Sequence, residues 1–114
     1  MLKISVFLTR RPGLSHEDFI AYWTQKHTPL LGTLSPGEVP VQRYVQLEPT
    51  DDAIPGVRTA TYDGVAELWV DSVADAARWF TSETYTTVVA ADEENFLDRS
   101  KTRFLYATET AVFG

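Results

Sequence analysis

Apolar and polar residues alternate with period two from Lys3 to Thr9. Ile4, Val6 and Leu8 point one way, and Lys3, Ser5, Phe7 and Thr9 the other, which predicts a half-buried strand. The period then changes to that of a helix. Pro12-Gly13 marks a turn. Ser15 is a good N-cap, with Asp18 three residues on, close to a capping box. Glu17 and Asp18 put negative charge where the helix dipole favours it. Phe19, Ile20, Tyr22 and Trp23 supply a wide apolar face. A helix is expected from Ser15 to Lys26. His27 follows Trp23 by four residues, so it projects from that same face near the helix end. Thr28-Pro29 is expected to break the pattern, because the residue before a proline resists the helical region.

Residues 29–40 are turn-rich, with Gly32, Pro36, Gly37 and Pro40. Val41 to Leu47 reads as a second strand. Val41, Val45 and Leu47 share one face, and Gln42, Tyr44 and Gln46 the other. Pro49 to Tyr62 is a long polar loop, a type often mobile or functional in a compact domain, and it is expected to border the site entrance. Val65 to Val70 is a third strand, with Ala66, Leu68 and Val70 inward and Glu67 and Trp69 opposite. Ser72 caps a second helix, with Val73, Ala76, Ala77 and Phe80 as its inner stripe. Ser82 restarts the helical period. Tyr85, Val88 and Val89 share one face. The same spacing reaches Asp92 and Phe96, so a carboxylate falls on an apolar stripe. Lys101 to Ala107 is the last strand, with Thr102, Phe104 and Tyr106 together.

The order strand, helix, strand, strand, helix, strand is the ferredoxin-like split βαβ pattern, an α+β fold. Residues 1–114 form one domain. A four-stranded antiparallel sheet with both helices on one face leaves its other face uncovered. That face is expected to carry Phe7, Tyr44 and Trp69, with Phe104 or Tyr106, beside Ser5, Gln42, Gln46 and Glu67. Such a mixed face suits a partner sheet that encloses a polar-lined cavity. A homodimer follows, pairing as a dimeric α/β barrel.

Charge and composition narrow the classes. The formal net charge is −6, and basic residues cluster only at Arg10-Arg11. A nucleic-acid partner is not expected. No cysteine is present, so thiolate metal sites, disulfides and cysteine nucleophiles drop out. Two histidines do not make a metal site by spacing. No apolar run has the length of a membrane span. MLKISVFLTRR lacks the features of a signal peptide, so a cytoplasmic location is expected. No phosphate-cradling loop, nucleophile elbow or dinucleotide fingerprint is present. No bound cofactor is expected.

Four stretches carry a family resemblance. They are RRPGLSHEDFIAYW followed by KHTPLL, then QRYVQ, then DGVAELWVDS, then SETYTTVVAADEENFLDRSKT. Together and in this order the chain resembles the EthD-type proteins of the dimeric α/β-barrel superfamily; Pro49 to Tyr62 matches least. The resemblance implies the ferredoxin-like fold and the dimer. Relatives in that superfamily include cofactor-free monooxygenases, muconolactone-type isomerases, and aromatic polyketide cyclases, dehydratases and decarboxylases. Some dimeric barrels bind haem, but no second feature here supports that role for His27.

His27 is the leading candidate for chemistry. It is an inner-face side chain of the one type whose unperturbed pKa lies near neutrality, as a general acid or base requires. The structural alternative is a histidine that caps helix carbonyls. His16, in the first helical turn, is expected to be exposed and without a role. Tyr44 can donate a hydrogen bond to a developing enolate or phenolate. Glu67 can polarise His27 or pair with Arg43. Asp92 needs a partner if buried, and can orient His27. Phe7, Trp23, Trp69 and Phe96 are the expected walls of the substrate site. The reading is a cofactor-independent enzyme using acid/base chemistry on a small hydrophobic, aromatic or polyketide-like molecule. The reactions within reach are cyclisation, dehydration, isomerisation and decarboxylation. A cofactor-free monooxygenase and a non-catalytic ligand-binding protein are the alternatives.

Overall fold

Four antiparallel strands form one sheet, with the chain's first and third strands paired at its centre, the second at the edge beside the third and the fourth at the edge beside the first. The computed structural model describes residues 1–34 and 37–114; the turn expected at Pro36 lies outside them. The chain begins with β1 (Leu2–Leu8), then α1 (His16–Tyr22), a wide turn of helix (Trp23–His27) and α2 (Thr28–Leu31). β2 (Arg43–Leu47) and β3 (Gly64–Val70) follow. Next come α3 (Val73–Phe80), a second wide turn (Tyr85–Val89) and α4 (Ala90–Glu93). A tight 3-10 turn (Arg99–Lys101) leads into β4 (Arg103–Ala107). This is the expected ferredoxin-like α+β arrangement.

The strand alternation selects the core. Ile4, Val6 and Leu8 of β1, with Ala66, Leu68 and Val70 of β3, are buried beneath the helices. Phe19, Trp23 and Phe96 close over them, each at most 2% exposed. Gly64 makes the fit possible. A Cβ there would lie 2.6 Å from the Trp23 ring, far inside van der Waals contact. Ser15 and Ser72 cap their helices as expected, each accepting from the backbone N–H three residues on.

The faces of the outer strands differ from expectation. Tyr44 pairs with Leu68 and Gln46 with Ala66, so both lie on the helix side. Val45 and Leu47 point to the open side instead. The apolar pair predicts a core face, but an edge strand beside a cavity can carry its polar residues inward. Phe104 and Tyr106 pair with Val6 and Ile4, and likewise face the helices. β2 also begins at Arg43 rather than Val41, and β4 at Arg103 rather than Lys101.

The first helix does not stop at Thr28-Pro29. Thr28 keeps helical angles, and helix continues to Leu31. In α3 the buried residues are Ala76 and Trp79, whereas Val73 and Ala77 are exposed. Trp79 is buried against Tyr85, their ring centroids 5.5 Å apart.

The open face carries a polar cluster set among apolar residues. Glu67 pairs with Lys3 Nζ at 3.0 Å and accepts from Ser5 Oγ at 3.3 Å. Lys3 and Arg43 both lie over the Trp69 ring, 4.8 and 4.7 Å from its centroid. The loop before β3 ends on this side, with Tyr62 packed 5.0 Å from Phe7. Buried Asp63 anchors the loop. It accepts from the Arg10 backbone N–H at 2.8 Å and from His16 Nδ1 at 2.9 Å. His16 is therefore half-buried and structural, not exposed.

Candidate active site

A cavity of about 700 Å³ lies between the sheet and the helices. This is not the expected place, over the open face. Ile4, Val6, Leu8 and Leu68 form its floor, and Trp23, Phe96, Trp79 and Phe80 much of its sides. Its volume suits a drug-sized ligand, and its lining is largely apolar with a few polar groups. His27, Tyr44, Tyr85, Glu93 and Arg99 are among them, with Gln42, Arg43, Thr102 and Tyr106 also in the lining.

The wide turn in the first helix explains how His27 enters the cavity. The backbone N–H and Oγ1 of Thr28 both donate to the Trp23 carbonyl, the hydroxyl at 2.7 Å. This i→i+5 bond widens the helix. It also accommodates Pro29, which has no N–H to offer. Widened turns of this kind recur at functional sites. His27 ends only 7% exposed, its ring 4.8 Å from that of Phe96.

The second helical layer brings the carboxylate. His27 Nδ1 donates to Asp92 Oδ2 at 2.8 Å. An ionised carboxylate only accepts, so this bond puts the proton on Nδ1 and leaves the Nε2 lone pair free when the ring is neutral. Nε2 has no hydrogen-bond partner among the described residues. Among the described residues no fully buried side-chain nitrogen or oxygen lacks a partner, so Nε2 is open to the cavity. Asp92 is itself held. Its Oδ1 accepts from Tyr22 Oη at 2.7 Å and from Asn95 Nδ2 at 3.1 Å. Burial alone would raise its pKa, but the bonds from Tyr22, His27 and Asn95 outweigh it and hold the carboxyl below its ordinary value. The hydrogen bond to the same carboxylate, with burial, raises the Tyr22 phenol.

Gln46 fixes Tyr44. Its Nε2 donates to Tyr44 Oη at 3.2 Å and to Thr28 Oγ1 at 2.8 Å. The Tyr44 hydroxyl accepts there and keeps its own proton for a ligand. Burial raises its pKa, so it stays a neutral donor. Deeper in the second layer, Tyr85 Oη donates to Glu93 Oε1 at 2.5 Å. Burial first, and then the Glu93 charge, push the Tyr85 phenol upward.

The eight residues expected at the site thus divide by the sheet. His27, Tyr44, Trp23 and Phe96 line the cavity, and Asp92 lies behind His27. Glu67, Phe7 and Trp69 lie on the open face, where the sheet separates them from His27. Period-two alternation in β1 and β3 requires this, since Val6, Ala66 and Leu68 fill the cavity side. Glu67 meets Lys3 rather than His27. The Pro49 to Tyr62 loop does not line the cavity either. Tyr22, Tyr85, Glu93 and Arg99 are additions. Tyr22 and Tyr85 had read as apolar-face residues, and nothing in their spacing marks their carboxylate partners. Among the described residues no cluster of three histidine or carboxylate side chains is arranged to hold a metal, and no helix is long and apolar enough to cross a membrane.

An ethyl tert-butyl ether D (EthD) family protein from Bacillus halodurans superimposes with a TM-score of 0.68 at 12% identity, over 96% of this chain and 100% of that one. A protein of Bacteroides fragilis described as dimeric, of unknown function and with a ferredoxin-like fold, gives 0.64 at 10% identity, over 93% of each chain. A structure described as an antibiotic biosynthesis monooxygenase gives 0.60 at 14% identity, over 97% of this chain and 100% of that one. Identities this low show a shared fold. No curated protein matches the sequence. The EthD domain family matches residues 11–100, most of the chain and every element that shapes the cavity except β1 and β4: the chain belongs to the EthD domain family.

Proposed function

We propose that this chain is a cofactor-independent enzyme that moves protons on a small hydrophobic substrate, aromatic or polyketide-like. One observation carries the reading: His27, oriented by Asp92 through Nδ1, opens its Nε2 onto an apolar cavity. That is the arrangement of a general base with a carboxylate that fixes its tautomer. Nε2 takes a proton from a carbon next to a carbonyl. Negative charge develops on the carbonyl oxygen, and the Tyr44 hydroxyl donates to it. Asp92 stabilises the imidazolium until Nε2 returns the proton. The imidazolium returns the proton to a second carbon in an isomerisation, to the new alkoxide in a cyclisation, or to the departing hydroxyl, released as water, in a dehydration; in a decarboxylation CO2 leaves first, and a protonated His27 supplies the proton to the resulting enolate carbon. Removal of water by the aromatic walls strengthens each of these interactions.

A second copy of the chain covers the open face of the sheet. Val45, Leu47, Val65, Trp69 and Leu105 lie there, and Leu105 is 53% exposed. The likeness to a protein described as dimeric supports this.

The likeness to an antibiotic biosynthesis monooxygenase favours one second reading. In it, His27 deprotonates an electron-rich phenol, which reacts directly with oxygen. A single panel separates the possibilities. Aryl 1,3-diketones and polycyclic phenols are incubated with the protein in deuterium oxide, with NMR for exchange at carbon and an electrode for oxygen uptake. Enzyme-dependent carbon exchange without oxygen uptake is expected. Oxygen uptake with phenols supports the oxygenase. Binding with neither leaves a ligand carrier and removes the catalytic reading.

A further inference from the structure

The far end of the cavity is chemically unlike the His27 end. Trp79, Phe80, Tyr85, Phe104 and Tyr106 form a continuous run of rings. Trp79 lies 5.5 Å from Tyr85, Tyr85 lies 4.9 Å from Phe80, Phe80 lies 5.5 Å from Phe104, and Phe104 lies 6.2 Å from Tyr106. Phe104 and Tyr106 are 40% and 56% exposed although they face the helix layer. The helices do not cover this part of the sheet, and the cavity opens over it. Exposed aromatic rings grouped in this way mark a surface that something occupies.

Arg99 stands at the same end. It lines the cavity, and its charge acts on the Tyr85 hydroxyl. Its guanidinium is charged at any working pH. Among the described residues no carboxylate comes within ion-pair distance of it, and no hydrogen bond of its side chain is seen. Glu93, the acidic group nearest in the lining, is already engaged by Tyr85. A neutral ligand that seats on the rings offers the Arg99 charge no counterpart. A ligand with its own negative group gains a charge-assisted bond there.

We propose that the cavity selects an aromatic monoanion, with its rings on Phe80, Phe104 and Tyr106 and its carboxylate on Arg99. This deepens the functional reading and rests on the cavity being a small-molecule site, but not on His27 catalysis. The carbon-acid end of such a ligand points toward His27, and its acidic end toward the mouth. The overall charge of −6 makes the preference local: Arg99 must attract an anion against a surface that repels it.

Isothermal titration with 2-naphthoate and its neutral amide, 2-naphthamide, tests the idea without any turnover. The native protein should bind the acid more tightly by roughly ten- to a hundredfold, as a charge-assisted hydrogen bond allows. Arg99→Gln should bring the two affinities together, and Arg99→Lys should restore part of the difference. Arg99 is exposed, so circular dichroism should show all three proteins equally folded. Equal affinities in the native protein, an unchanged preference in Arg99→Gln, or no binding of either probe at millimolar concentration would each overturn the proposal. Naphthoate selectivity alongside a failed carbon-exchange assay would remove the acid/base reading and leave this one standing.

Discussion

Asp92 shows how much a single side chain does here. It takes three donors, from Tyr22, Asn95 and His27, and lies mostly out of water. Its folded carboxyl titrates below the ordinary value. A lowered carboxyl stabilises the fold above the unfolded value, near pH 4, and the contribution fades as pH falls through the lower folded value. Asp92→Asn removes this linkage. Urea unfolding should therefore show the native protein more stable than Asp92→Asn at pH 7, with the gap shrinking below about pH 4. The same substitution should cost catalysis roughly 10²- to 10⁴-fold, because the amide no longer fixes the histidine tautomer. A rate within twofold of native would show that the carboxylate does not orient a working base. The stripe from Tyr85 through Asp92 to Phe96 made Asp92 legible in the sequence as a carboxylate needing a partner. Tyr22 was not legible, since its hydroxyl meets a residue 70 positions away.

Among the elements, the first helix carries the site and β3 makes room for it. Gly64 lets the Trp23 ring sit against the strand. Gly64→Ala forces that ring or the strand to move, at an expected cost of about 1–3 kcal/mol. Denaturant unfolding and the tryptophan emission of the folded state should both change; an unaltered midpoint would show the ring free to give way. The helix starts at Ser15 and Ser72 could be read directly, because capping is local chemistry. The strand faces were harder. In β1 and β3 the apolar set is unambiguous, and the sequence reading agrees with the structure. In β2, Val45 and Leu47 mimic a core face, yet Tyr44 and Gln46 are the residues that turn inward to serve the cavity. The Thr28-Pro29 break failed for a related reason. Proline disfavours a regular helix before it, but a turn widened by one residue accepts it and aims His27 inward.

At the scale of the whole molecule, strand order and fold were legible from the succession of periods, while the cavity's place was not. It lies beneath the helices, and the open face, uncovered in the single chain, is where the proposed second copy would sit. Leu105→Glu puts a charge on that face where the single chain leaves it exposed. Sedimentation at micromolar concentration should show a native dimer and a monomeric Leu105→Glu variant. The variant's helix content should be unchanged, since exposed substitutions usually alter stability by about 0.5 kcal/mol or less. A native monomer would refute the paired sheets. The proposed role of His27, moving protons in the cavity, is tested through the same residue. His27 is more deeply buried than its position at a helix end implied, so His27→Ala should lower the melting temperature modestly while the chain still folds. The decisive measurement is the rate of deuterium exchange into an aryl 1,3-diketone by native protein and by folded His27→Ala. A fall of roughly 10²- to 10⁴-fold is expected, the usual yield of positioned acid–base catalysis. Equal rates in the two proteins, or no exchange above buffer in the native one, would contradict it.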